Sequence, residues 1–295
     1  MSVRELLCCV GVVVTLVSSG ACTKKENDGG TPTAPTPPPA PGAPVFYTAI
    51  GASDALGVGG SRVCLPLTPC EDGTGYVPII VRRLADGRPV TLTNLGVPGS
   101  VLAPDTQSLA RRFGRDIVAN FIENELPFVP RNATLVTAFA GGNDANTIVA
   151  AVEAGQAGPD VNAFLDQKVQ QFAADVGRLV NGVRDRAPNA RIVVANLPNL
   201  AALPYSASAP LPRRQYLARL SAGFSFQGVN ALVNQGVVVV DLLCDAQSYD
   251  RANYSSDGFH PNDRGYAFIA GKFLDALTSA AATPPRAQCP ELSAI

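Results

Sequence analysis

The sequence predicts a three-layer α/β/α sandwich with a central parallel sheet of about five strands. Two observations indicate this fold: short runs of apolar and β-branched residues recur along the chain, and segments with a helical apolar period separate them. Near-continuous apolar runs are typical of buried parallel strands, and their alternation with helices is typical of a parallel sheet. The predicted strands are residues 45–50, 90–94, 134–139, 192–196 and 237–242.

Two of the intervening segments predict helices with one apolar face. Between residues 160 and 186, apolar side chains recur at alternating steps of three and four. These side chains are Val161, Leu165, Val169, Phe172, Val176, Leu179 and Val183. A second such helix is expected after His260, with Pro261 in its first turn, where a missing N–H costs nothing. Its apolar residues are Tyr266, Ile269, Phe273, Leu274 and Leu277.

The N-terminal residues differ in composition from the rest of the chain. Residues 1–22 contain an apolar run too short to cross a bilayer, followed by small residues, which predicts a signal peptide. Its end, Gly-Ala-Cys22, resembles a bacterial lipoprotein processing site, at which the cysteine is lipidated; an ordinary secretory signal is the alternative. Residues 23–44 are polar and rich in proline, so they cannot bury a core and predict a disordered tether.

The remaining chain, residues 45–290, has the length of a single α/β domain and is followed by a short tail, 291–295. The formal net charge is −1 at pH 7, and the basic residues are scattered. A basic stripe is therefore missing, and nucleic acid is not expected as a partner. We expect an exported protein, in the bacterial cell envelope or secreted, whose only link to a membrane is a lipid on Cys22.

Four cysteines remain once the signal peptide and Cys22 are set aside: Cys64, Cys70, Cys244 and Cys289. An even number in an exported protein predicts disulfides, whereas a metal site is disfavoured because the cysteines show no C-x-x-C pair and the chain has one histidine. Three pairings are open. We favour Cys64 with Cys70, which bracket a short loop, and Cys244 with Cys289, which would fasten the C-terminal tail near the last strand.

Two segments with glycines directly follow the first two predicted strands. In a parallel sheet, functional residues gather at the carboxyl ends of strands. The first segment reads Gly-Ala-Ser-Asp (51–54), where Ser53 would be presented as a nucleophile; a helix N-cap is the alternative. In the second, Gly99 would offer its backbone N–H to a developing oxyanion, although Pro-Gly is also common in ordinary turns.

Two further segments complete the set. The third strand ends at Gly-Gly-Asn-Asp (141–144), where the Asn143 amide would donate to the same oxyanion, or would cap a turn or helix. His260 is the only histidine of the chain, and Asp257 stands three residues before it, across a turn-forming glycine. This spacing lets the carboxylate fold back onto the imidazole and fix its tautomer. A histidine with a chance acidic neighbour is the alternative interpretation.

Taken in order, these segments resemble the SGNH hydrolases, also called the GDSL esterase and lipase family. The resemblance extends from Val45 to about residue 280 and implies a Ser-His-Asp triad that hydrolyses carboxylic esters without a cofactor. It assigns Ser53 as nucleophile, His260 as base and Asp257 as orienting acid. The oxyanion hole would consist of the Ser53 and Gly99 backbone N–H groups and the Asn143 side chain.

The first segment departs from the family pattern, because Ala52 replaces the aspartate that usually precedes the nucleophile. That aspartate is outside the catalytic set, so we expect an active enzyme in which this loop is braced differently. The resemblance leaves Gly99 and Gly96 as alternatives for the oxyanion glycine; we favour Gly99 because it falls later in the turn, as the family glycine does.

Two other functions fit the same sequence. One is a carbohydrate O-deacetylase of the same family, with identical catalytic residues and a cleft built by residues 57–75 and 200–214. The other belongs to a different class: a tethered binding module of the envelope that kept the fold and lost activity. The intact serine, asparagine, aspartate and histidine favour an enzyme, while the ester substrate, its acyl-chain length and the oligomeric state are not encoded in any recognisable motif.

Overall fold

A computed structural model describes residues 33–292 and contains one sheet of five parallel strands. The strand order is β2-β1-β3-β4-β5, so the predicted fold class is confirmed. The predicted signal peptide, Cys22 and the first part of the tether lie outside the described residues. The strands are β1 (Val45–Gly51), β2 (Val90–Asn94), β3 (Leu135–Phe139), β4 (Arg191–Ala195) and β5 (Val238–Val240).

The two edge strands of the sheet differ in burial. Every residue of the edge strand β5 is buried, like those of β3 and β4, whereas the other edge strand, β2, is mostly half-buried or exposed. β5 is shorter than predicted. The side chain of Asn196, just beyond β4, accepts the backbone N–H groups of Leu242 (2.7 Å) and Leu243 (2.8 Å). These side-chain hydrogen bonds replace the backbone hydrogen bonds that would extend β5.

Helices cover both faces of the sheet. One group consists of α2 and α7, which pack against each other, and the other is the contiguous group α3 to α6. The predicted apolar face of α5 is buried from Leu165 to Val183, and Asp160 caps the helix by accepting the Ala163 N–H at 2.9 Å. The helices are α1 (Ser53–Leu56), α2 (Tyr76–Leu84), α3 (Pro104–Arg112), α4 (Gly142–Glu153), α5 (Val161–Arg186), α6 (Leu211–Gly223) and α7 (Asp263–Thr278).

The last helix begins two residues later than Pro261, so the prediction that this proline lies in its first turn is wrong. Asn262 is the N-cap: its side-chain oxygen accepts the N–H groups of Arg264 (3.0 Å) and Gly265 (3.1 Å). The Asn262 side chain satisfies two of the N–H groups that have no partner within the helix, so the helix starts at Asp263 and Pro261 precedes the N-cap. The segment before α7 is thereby held against the helix.

The chain ends contact the domain where they are described. Residues 33–44 contain no helix or strand, and the carbonyl of Thr36 accepts a hydrogen bond from the buried Arg191 at 2.6 Å. Disulfides join Cys64 to Cys70 and Cys244 to Cys289, the pairing that we favoured. Among residues 33–292, no helix combines the length and apolar character needed to span a membrane.

Candidate active site

The predicted site residues follow three adjacent strands at one end of the sheet. Ser53 comes directly after β1, Gly99 lies in the loop after β2, and Asn143 lies in the first turn of α4, after β3. Because the order is β2-β1-β3, the chain leaves β1 for β2 on one side of it and then returns to β3 on the other side. Open α/β sheets bind their ligands at such a switch point, beyond the carboxyl ends of the strands.

The structure brings the single histidine, the serine and the aspartate together. His260 Nε2 lies 2.9 Å from Ser53 Oγ, and His260 Nδ1 lies 2.6 Å from Asp257 Oδ2. Both distances are those of hydrogen bonds. The imidazole therefore connects a hydroxyl on one side with a carboxylate on the other, which is the arrangement of a nucleophile, a general base and the group that orients the base.

Asp257 is held as a carboxylate by several donors. Its Oδ1 accepts the backbone N–H groups of Phe259 (2.8 Å) and His260 (2.9 Å) and the hydroxyl of Ser255 (2.9 Å). Partial burial alone would raise the pKa of Asp257, but these bonds and the imidazole together lower it to about 2. Asp257 is thus ionised at neutral pH, and its second oxygen is available to His260.

Packing fixes the backbone and the ring of His260. Gly258 has a φ of 70°, and a Cβ at this position would stand 2.6 Å from the backbone nitrogen of Tyr205. That nitrogen donates to the carbonyl of Gly258 at 3.1 Å. The ring of Phe259 meets those of Tyr205 and His260 edge to face, each at 5.0 Å between centroids. The loop that follows β4 therefore supports the histidine.

The turn after β2 distinguishes the two candidate oxyanion glycines. The Ser100 N–H donates to the Val97 carbonyl at 3.1 Å, and Gly99 has a φ of 77°, as in the third position of a type II turn. The Gly96 N–H is already bound to Asn94 Oδ1 at 3.1 Å. Within the described part of the chain, the Gly99 N–H has no such partner, and a Cβ on Gly99 would meet nothing within 4 Å. Gly99 is the glycine with a free donor.

Two more donors are available near the nucleophile. Asn143 donates one side-chain N–H to the carbonyl of Ser100 at 2.9 Å, which leaves its second N–H for a ligand. The Ser53 N–H is at the first position of α1, where an N–H has no partner within the helix. The ring of Phe259 packs on Gly142, where an added Cβ would lie 3.3 Å from that ring. This contact joins the asparagine segment to the histidine segment.

Glu125 is a residue of the site that sequence reasoning missed. It ends a π-helical turn, Phe121–Glu125, and is fully buried. Its carboxyl group contacts the Gly51 N–H at 2.9 Å and the Ser100 hydroxyl at 3.1 Å. Burial raises its pKa to about 8, although both hydrogen bonds act in the opposite direction. The only sequence signal is one glutamate in a half-apolar segment, which is too weak to identify.

Asp144 connects the start of α4 to the segment after the Gly99 turn. Its two carboxylate oxygens lie 3.1 and 3.2 Å from the backbone nitrogen of Leu102. Burial raises the pKa of Asp144 to about 7 despite this bond. Asp144 directly follows Asn143 and is almost fully buried, so it acts as an anchor for the asparagine.

A cavity of about 60 Å³ adjoins the site beside Asn143 and Ser100. Asn143 and Ser100 line it, as do Ala52, Phe259 and Pro261, the chain neighbours of Ser53 and His260, so the cavity lies next to both Asn143 and the triad. Asp54 also lines it, and burial raises the pKa of this carboxyl group. The walls are otherwise largely apolar and include Phe139, Leu197, Leu200, Leu203, Leu242, Phe259, Phe268 and Ile269.

Metal ligands do not gather anywhere in residues 33–292: no group of three or more histidine, cysteine, aspartate or glutamate side chains is placed to hold an ion. The site described above consists of side chains and backbone N–H groups that can attack a carbonyl carbon and stabilise the resulting charge.

Comparisons with known proteins identify the fold and the family. A lipase from a goat rumen metagenome is 17% identical, with a TM-score of 0.54 over 79% of this chain and 97% of its own. An extracellular lipase from Streptomyces rimosus is 18% identical, with a TM-score of 0.52 over 80% of this chain and 100% of its own. These two structures share the fold. A search of curated proteins found no match. Residues 49–268 match the GDSL-like lipase/acylhydrolase family, and the chain belongs to that family.

Proposed function

We propose that this ester-bond hydrolase uses Ser53 as nucleophile, His260 as general base and acid, and Asp257 as the group that orients His260. The observation that carries the proposal is the continuous hydrogen-bonded series from Ser53 Oγ through the imidazole to Asp257, at 2.9 and 2.6 Å. Nucleophile and base within hydrogen-bond reach, with the base oriented by a third group, is the general signature of covalent acyl transfer. The same distances disfavour a catalytically silent binding module.

In the first half of the reaction, Ser53 Oγ attacks the carbonyl carbon of the ester while its proton passes to His260 Nε2. Asp257 stabilises the imidazolium through Nδ1. The carbonyl oxygen becomes an oxyanion and accepts the N–H groups of Ser53 and Gly99 and the free N–H of Asn143. The bond to the alcohol oxygen then breaks, and His260 returns the proton to the leaving alcohol, which leaves an acyl group on Ser53.

In the second half, water replaces the alcohol. His260 Nε2 takes a proton from water as the water oxygen attacks the acyl carbon, and the same three donors hold the second oxyanion. The bond to Ser53 Oγ breaks, His260 protonates that oxygen, and the carboxylic acid departs. Protein groups supply every proton transfer in this scheme, so no cofactor enters the balance.

Hydrolysis of p-nitrophenyl acetate by the purified protein tests the assignment of the residues. We expect Ser53→Ala and His260→Ala each to lower kcat/KM by about 10⁴-fold or more, because nucleophile and base act as one unit. Asn143→Ala should lose about 100- to 1000-fold, the typical loss for one oxyanion donor. Ser108→Ala, in α3, is the control and should keep full activity. Near-normal turnover in folded Ser53→Ala or His260→Ala would exclude the mechanism.

The same assay addresses the acyl group, which we place in the cavity beside Asn143. A cavity of 150 Å³ accommodates benzene, so about 60 Å³ would take an acyl chain of only a few carbon atoms. We expect higher kcat/KM for acetate and butyrate esters than for palmitate, and a shift towards longer chains in Leu203→Ala. Leu165→Ala, buried in α5, is the matched control for lost stability. An unchanged preference in Leu203→Ala would exclude this assignment.

We also propose that the protein is exported and anchored to a membrane by a lipid on Cys22. Residues 23–44 would be the tether and residues 45–290 the catalytic domain. The composition of residues 1–22 supports export. The two disulfides suit an oxidising compartment. The substrate would then be a small ester reached outside the cytoplasm.

A further inference from the structure

We infer that Glu125 is a positioning residue, which holds the segment of the nucleophile and the turn of the oxyanion glycine at a fixed separation. The inference rests on the proposed function of Ser53 and Gly99. It concerns a side chain that touches neither the substrate nor the reacting atoms and acts through its two hydrogen-bonded partners.

The first partner is the backbone two residues before the nucleophile. The ladder between β1 and β2 ends at the pair Ala49 and Asn94, so Gly51 lies beyond it. On the side of β1 that faces β2, the Gly51 carbonyl accepts the Val97 N–H at 3.1 Å, while the Gly51 N–H donates to Glu125 Oε2 at 2.9 Å. Glu125 thus takes the position that the next residue of a longer β2 would have taken. Without it, the Gly51 N–H would be buried and unpaired.

The second partner is the residue that follows the oxyanion glycine. Glu125 Oε1 lies 3.1 Å from Ser100 Oγ. The Ser100 N–H closes the turn that displays Gly99, and the Ser100 carbonyl accepts the side chain of Asn143 at 2.9 Å. Through Ser100 the carboxyl group is therefore connected to both oxyanion donors outside the nucleophile segment. One side chain joins the three segments that carry the donors.

Burial and chemistry limit what can replace this group. Glu125 is fully buried, and no basic side chain forms a salt bridge with it among the described residues. Glu125 accepts the Gly51 N–H through one oxygen and the Ser100 hydroxyl through the other. Glutamine has the same shape, keeps an oxygen that accepts the Gly51 N–H, and can donate its amide N–H to the Ser100 oxygen, which is able to accept as well as donate. Ala52, in the nucleophile segment itself, carries only a methyl group and offers no substitute.

The test compares Glu125→Gln, Glu125→Leu and the wild type on p-nitrophenyl acetate. We expect Glu125→Leu to lower kcat about 100-fold with KM changed less than about threefold, because displaced donors weaken binding of the transition state and not of the substrate. Glu125→Gln should keep kcat within about threefold. Ser100→Ala should lower kcat as well, and its effect should be largely absent in the Glu125→Leu background, since the two groups act through one contact.

Controls separate positioning from general damage. Arg191→Met removes a buried polar side chain at the start of β4, the opposite end of the sheet, and should lower the melting temperature without lowering kcat. Circular dichroism must show Glu125→Leu folded at the assay temperature; if it is not, Glu125→Gln against Ser100→Ala decides. Wild-type kcat in folded Glu125→Leu, or equal losses in Glu125→Gln and Glu125→Leu, would overturn the inference. If the wild type itself shows no Ser53-dependent hydrolysis, the proposed function fails instead.

Discussion

The residues of the candidate site differ in how far their partners lie along the chain, and this difference decides which of them can be predicted from the sequence. Asp257 and His260 are three residues apart, with a glycine between them, so their contact can be predicted from the spacing alone. Ser53 and Asn143 are visible because each follows a strong strand pattern. Glu125 bonds to Gly51 and Ser100, 74 and 25 residues away, and no local pattern encodes either contact.

The buried carboxyl group of Glu125 makes the stability of the protein depend on pH. Its pKa rises from the ordinary 4.5 to about 8 on folding, so the folded state binds this proton more tightly than the unfolded state. Its contribution to stability is therefore complete below pH 4.5 and is lost as the pH rises to about 8. The loss is about 1.4 kcal/mol per pH unit within that window.

Glutamine cannot ionise, so a comparison of Glu125→Gln with the wild type isolates the effect of the Glu125 proton on stability. We expect the free energy of unfolding in urea to fall more steeply with pH in the wild type than in Glu125→Gln between about pH 5 and pH 8. The other ionisable groups titrate in both proteins, so their effects cancel in the difference. A difference between the two proteins that stays constant over this range would show that Glu125 has no raised pKa.

At the level of helices and strands, the sequence predicts interiors better than ends. The strand cores and the buried face of α5 follow from apolar periodicity, and the structure contains them. The ends depend on side chains that replace backbone hydrogen bonds: Asn196 accepts the N–H groups beyond β5, and Asn262 begins α7 after Pro261. Hydrogen bonds between residues distant in the chain cannot be predicted from the local sequence pattern around either residue.

The disulfide between Cys244 and Cys289 fastens the tail that follows α7. It closes a loop with a sequence separation of 45 residues, for which the chain-entropy treatment assigns about 4 kcal/mol. We expect peptide mapping of unreduced protein to recover this crosslink together with Cys64 to Cys70. The double variant Cys244→Ser and Cys289→Ser should unfold at a lower urea concentration and keep its kcat. A crosslink from Cys64 to Cys244, or four free thiols, would contradict the pairing.

For the molecule as a whole, the sheet order explains why residues from four separate segments form one site. The order β2-β1-β3 puts the loops after three consecutive strands side by side, and the segment before α7 brings the histidine to them. The sequence predicts the parallel sheet from its alternating pattern. The cavity beside Asn143 was beyond such prediction, because its walls come from at least four loops whose packing is set only in the folded chain.

Covalent labelling tests the central claim, that Ser53 is a nucleophile activated by His260, most directly. A fluorophosphonate reacts when serine Oγ attacks its phosphorus and fluoride leaves, and the added mass can be located by peptide mass spectrometry. We expect a single label on Ser53, formed at least about 1000-fold more slowly in His260→Ala. A label on another residue, or ester hydrolysis that continues while Ser53 stays unmodified, would contradict the account.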